Sequence, residues 1–190
     1  MRIDDRTGKL NKEHHDELIA FIADELLSNE LDLYLLDVIR IRNDGGTNYF
    51  GYWTARFHYD PDDPTKIVAV TAVIVLNYFY LKSINSLKRT LAHEYGHHWT
   101  LSYLAINQGI DMSKQLPHEY YQMRPLELEE YSHDYSMGWN RCDREIIAED
   151  YRVLFAPSPH NQDHRMVDNP NDNLSFPDLS IENYIKSLAA

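Results

Sequence analysis

Cysteine is all but missing from this chain: Cys142 stands alone among 190 residues, so no intrachain disulfide can form and nothing points to an oxidising compartment. A solitary cysteine in WNRCDRE is expected to be an inert side chain rather than a nucleophile. Positive charge is also scarce. With 18 Lys and Arg against 30 Asp and Glu, the formal charge of −12 argues against nucleic acid or an anionic membrane as the main partner. No apolar run approaches the length that spans a bilayer, and MRIDDRTGKLNKEHH lacks the apolar core of a signal peptide, so a cytoplasmic protein is expected. Repeats and low-complexity segments are absent. What is present is an ordinary globular composition, 43% hydrophobic, enough to bury one core. The expectation is a single domain over residues 1–190, with an N-terminal lobe at 1–108 and a C-terminal lobe at 109–190.

Residues 11–28 carry Leu18, Ile19, Ile22, Leu26 and Leu27 at helical spacing and predict an amphipathic first helix. LYLLDVIRIRN and YFGYWTARFHY, separated by Asp44-Gly45-Gly46, read as a hairpin, and the β-branched run KIVAVTAVIVLNYFY supplies a third strand after the proline-marked DPDDP. Together these predict an α+β fold with a small, twisted, mostly antiparallel sheet ahead of a long helix that starts near Ser83. Beyond that helix come a loop-rich stretch with a short helix at LELEEY, a firmer helix over 141–155, a polar loop over 157–177 and a terminal helix in PDLSIENYIKSLA.

Inside the long helix lies His93-Glu94-Tyr95-Gly96-His97. Four-residue spacing puts both imidazoles on one helical face, where their nitrogens can bind one zinc ion per chain, and Glu94 flanks that face as the general base for a zinc-activated water. Gly96 costs helix stability, which suggests that another element approaches closely there. A zinc hydrolase also needs a third protein ligand. The residues after His97 contain neither the glycine nor the third histidine of the metzincin extension, so the ligand must come from another segment. Glu145 is the leading candidate, because Glu149 lies one turn later and could orient a ligand histidine. Glu130, which has Asp134 four residues on, and Glu149, His133 and His118 are rival ligands.

HEYGH followed by EIIAEDYRVLF resembles the gluzincin metallopeptidases. The second motif looks like the EFFAEAFR-type helix of the anthrax lethal factor catalytic domain and of bacterial Pro-Pro endopeptidases. The resemblance covers about residues 83–155 and implies a zincin-like fold and a zinc endopeptidase acting on a peptide or protein. It also implies His93, His97 and Glu145 as metal ligands, Glu94 as base and Glu149 as the acid behind a ligand histidine. The family's catalytic tyrosine lies seven residues before the third ligand, where this chain has Gly138. The oxyanion donor must therefore come from elsewhere in YSHDYSMGWN, and Tyr135 is expected, with Tyr131 and His133 as alternatives. Two other readings stay open at this point: a hydrolase of non-peptide amides or esters, and a latent fold used as a binding module.

Overall fold

A computed structural model describes residues 1–166 and 174–190. Its elements are β1 (Arg2–Asp5), α1 (Lys12–Ala20), α2 (Glu30–Leu35), β2 (Leu36–Arg42), β3 (Gly51–Tyr59), β4 (Ile67–Asn77), α3 (Ile84–Gln108), α4 (His118–Met123), α5 (Asp143–Phe155) and α6 (Leu179–Ser187). Side-chain caps explain several of the starts. Asn11 accepts from the His14 backbone, Asn29 from Leu31 and Ser83 from Ser86, each satisfying an amide the helix leaves free. Gly109 ends α3 with a φ of +64°, which glycine adopts without strain.

The sheet corrects the expectation of a mostly antiparallel one. It is a mixed four-stranded sheet of order β1-β2-β4-β3, in which β1 with β2 and β2 with β4 are parallel and only β3 with β4 is antiparallel. The hairpin is β3–β4, across the DPDDP loop, and not β2–β3. Residues 43–50 cross the end of β4 instead of turning back on β2, and buried Asn77 holds them there. Its Nδ2 donates to the carbonyls of Asp44 (3.0 Å) and Tyr49 (3.1 Å), while its Oδ1 accepts from the Asp44 amide at 2.9 Å. The helix expected over 11–28 leaves the α form after Ala20 for a π-helical turn, Phe21–Glu25. LELEEY forms turns rather than a helix, while HEYYQM supplies α4. The loop expected over 157–177 lies partly outside the described residues.

Every residue of α3 from Thr90 to Ala105 is buried, so this helix is enclosed rather than laid on a surface. The inner face of the sheet (Ile39, Ile41, Ala72, Ile74, Leu76) covers one side, with Leu18, Phe21 and Ile22 of the first helical segment. On another side α5 crosses at Gly96, where an added Cβ would lie 2.7 Å from the Ala148 carbonyl oxygen. Ile181 and Ile185 of α6 join the same core, and the Ile185 carbonyl accepts the Trp99 indole N–H at 3.1 Å. Among the described residues no helix is long and apolar enough to cross a membrane.

Candidate metal centre

The close crossing at Gly96 brings a helix bearing two histidines against one bearing two glutamates. The ligand atoms of His93, His97 and Glu145 lie within 4.8 Å of one another, and among the described residues this is the one group of histidine, cysteine and acidic side chains arranged to hold a metal ion. His93 Nε2 is 3.0 Å from Glu145 Oε2, and His97 Nε2 is 3.4 Å from Glu145 Oε1. Donors bound to a tetrahedral zinc at about 2.0–2.1 Å lie roughly 3.3–3.4 Å apart, so the two imidazoles and the carboxylate fit such an ion in both chemistry and spacing.

Glu149 is not in that group. It accepts the His93 Nδ1–H at 2.9 Å, which turns Nε2 toward the shared point. Its other lone pairs are taken by Arg152 through Nε (2.9 Å) and Nη2 (2.7 Å) and by the Arg165 backbone at 3.1 Å, leaving no oxygen for a metal. Burial would raise the Glu149 carboxyl, yet His93 and Arg152 hold it well below the usual carboxylate range. Burial would likewise depress His93, but Glu145 and Glu149 outweigh it and raise the imidazole to about 10 in the metal-free protein. Glu130 and His118 are exposed and lie outside the group. The next histidine, His98, points elsewhere, donating to the Asp32 carbonyl oxygen at 2.8 Å while its Nδ1 accepts from the Trp53 indole.

A cavity of about 700 Å³ opens over this group, lined by Gly51, Trp53, Leu101, Met112, Tyr135 and Trp139 among others. Glu94 shares it. Burial pushes the Glu94 carboxyl up, against the pull of the nearby His93 and His97, and β3 passes close to the carboxylate at Gly51. Gly51 allows that approach, since a Cβ there would sit 3.0 Å from Glu94 Oε1 and 2.8 Å from Thr90 Cγ2. The third strand predicted from the sequence, β4, is central in the sheet, and β3 is the edge at the cavity.

Of the three expected oxyanion donors, Tyr131 is buried in the core, whereas Tyr135 and His133 line the cavity. The Tyr135 hydroxyl donates to Glu145 Oε1 at 2.7 Å. Burial and the Glu145 charge raise that phenol, so it stays a donor at neutral pH. Cys142 also borders the cavity, but burial pushes its thiol up to about 11, away from nucleophilic use. Sequence reasoning missed Trp139, whose indole N–H donates to Glu145 Oε2 at 2.8 Å. The available signal was a tryptophan in a polar loop, since a partly buried indole N–H needs an acceptor. Comparisons of the chain with protein-family models, with curated proteins and with solved structures found no match.

Proposed function

We propose that the protein is a zinc-dependent endopeptidase of the gluzincin type, with His93, His97 and Glu145 holding the ion. The observation that carries this reading is Glu94: a buried carboxylate opens on the same cavity as the three donors without joining them, with the edge strand β3 passing close beside it at Gly51. A purely structural metal would need no such group. Zinc, when bound, supplies Lewis acidity, making water a nucleophile near neutral pH and polarising a carbonyl.

The remaining steps belong to the chain. Glu94 removes a proton from the attacking water and returns it to the leaving amine, a role its place in the cavity beside the three donors allows. Tyr135 moves its hydroxyl from Glu145 to the oxygen that becomes negative as the carbonyl carbon turns tetrahedral. The outer edge of β3 pairs with an extended substrate backbone, which favours a peptide over a compact amide or ester.

The test is hydrolysis of a peptide library. Cleavage should be abolished by a chelator, restored by zinc, and lost in Glu94→Gln while that variant keeps its zinc and its fold. Full turnover by Glu94→Gln, or cleavage of esters with no peptide cleaved, would reject the reading.

A further inference from the structure

Four donors surround the Glu145 carboxylate, and they differ in what happens to them when a metal arrives. His93 Nε2 (3.0 Å) and His97 Nε2 (3.4 Å) are the nitrogens that must turn lone pairs toward the ion, so they cannot go on holding the carboxylate as donors. The Tyr135 hydroxyl at 2.7 Å is the group assigned to the substrate oxyanion, so it leaves Glu145 during turnover. The Trp139 indole at 2.8 Å is the one that stays. We propose that Trp139 is a positioning residue for Glu145, its N–H fixing the carboxylate in the orientation that completes the metal site. This rests on the reading of His93, His97 and Glu145 as metal ligands, but not on a peptide being the substrate.

The chemistry of indole suits the task. Its N–H donates but does not accept, carries no charge to compete with a cation, and offers no lone pair that could become a further ligand. A histidine there could bind the metal itself, and a lysine or arginine would repel it. Donation to Oε2 occupies one lone pair of that oxygen and leaves the side facing His93 open.

Local structure holds the ring in place. Gly138 adopts φ +96° and ψ 160°, a region essentially closed to residues with a Cβ, and so turns the chain between the short helical turns Tyr135–Met137 and Trp139–Arg141. The base of the loop is closed by two backbone hydrogen bonds, Ser132 N–H to the Arg141 carbonyl (3.0 Å) and Asp143 N–H to the Ser132 carbonyl (2.9 Å). The ring stands 6.4 Å from the His93 ring, centroid to centroid, and the residue as a whole is 39% exposed. A tryptophan this open to solvent is poorly accounted for by burial alone, whereas its N–H points inward at a buried carboxylate.

The experiment is zinc affinity measured by chelator competition for wild type and Trp139→Phe, which keeps an aromatic ring and deletes the N–H. Affinity should fall about 10–100-fold, and the cobalt-substituted variant should show an altered visible absorption spectrum. The unfolding midpoint of the metal-free protein should barely move. In parallel, the Trp139 indole N–H of the wild type is followed by NMR: it should exchange slowly with solvent despite the residue's exposure, and lose that protection in Glu145→Gln. Wild-type zinc affinity in folded Trp139→Phe would overturn the proposal, and so would a freely exchanging indole N–H should the variant fail to fold. Loss of affinity in Trp139→Phe of a protein that cleaves no peptide would support the Trp139 assignment while rejecting the peptidase reading. Unchanged affinity in a protein that does cleave peptides would reject Trp139 alone.

Discussion

Replacing Gly96 by alanine tests whether the crossing of α3 and α5 is what assembles the metal centre. The new Cβ would lie 2.7 Å from the Ala148 carbonyl oxygen and 3.0 Å from both Ala148 Cα and Tyr151 Cβ. The closest of these is about 0.8 Å inside an ordinary contact of about 3.5 Å. No rotamer change can relieve it, because the atoms belong to the α5 backbone and a Cβ fixed to it, so the helices must separate. Stability feels two opposed effects: overpacking costs about 1–3 kcal/mol, and alanine in a helix interior returns about 0.5–1 kcal/mol. The net loss is about 0–2.5 kcal/mol, or a midpoint lowered by up to about 10 °C. The metal centre has no such offset. Glu145 sits on α5 one turn before Ala148, and His97 is bonded to Gly96, so a separation of roughly 0.5 Å exceeds the tolerance of about 0.2 Å on metal–ligand distances. Zinc affinity, read by chelator competition, should therefore fall at least about tenfold, even if urea unfolding of the metal-free protein changes little. If Gly96→Ala loses stability but binds zinc like the wild type, the crossing does not set the ligand geometry and the reasoning fails.

Tyr135→Phe should keep one zinc per chain at saturation but lower kcat on a cleaved peptide by about 10²–10³; a kcat within a fewfold of wild type would move the oxyanion role to His133. Gly138→Ala places a Cβ at φ +96°, costing about 1–3 kcal/mol, and its relief should displace Tyr135 and Trp139 together, so that zinc affinity and kcat both fall. Glu145→Gln should lose zinc while Glu130→Gln retains it, as metal content after dialysis would show; the reverse result would reassign the ligand. Asp32 gives a pH prediction: burial raises its carboxyl above the ordinary 3.8, against hydrogen bonds from Tyr95, the Asn29 backbone and Tyr103. The folded state thus binds the proton more tightly, so its contribution is present at low pH and is lost as pH rises through the raised value, at up to about 1.4 kcal/mol per pH unit. Asp32→Asn cannot titrate, so the stability of wild type minus that of the variant should shrink as pH rises from about 4; parallel urea-unfolding curves would contradict this.

The parts of the site that could be read in the sequence are those set by spacing along one helix. Histidines four apart must share a face, and acids four apart on a second helix must do the same, so His93 with His97 and Glu145 with Glu149 could be paired before any coordinates. Which oxygen of which acid meets which nitrogen depends on how the helices cross, and Gly96 was the sequence's hint of that. The sheet was less legible for a related reason. Alternation and β-branching mark strands locally, but β1 is four mostly polar residues, RIDD, and strand order depends on distant groups such as Asn77 holding residues 43–50 over the end of β4.

Gly138 shows the limit most clearly. Against the family's spacing it reads as a missing catalytic tyrosine, a loss. In the structure its positive φ is what lets one short loop present two donors to Glu145, the Tyr135 hydroxyl on Oε1 and the Trp139 indole on Oε2. A tyrosine at position 138 would bring a hydroxyl but would be strained at that φ, so the loop could not hold its present turn. On the proposed reading, the chain divides between two side chains what the gluzincin pattern assigns to one region: a phenol free to leave for the substrate, and an indole that stays behind to hold the ligand.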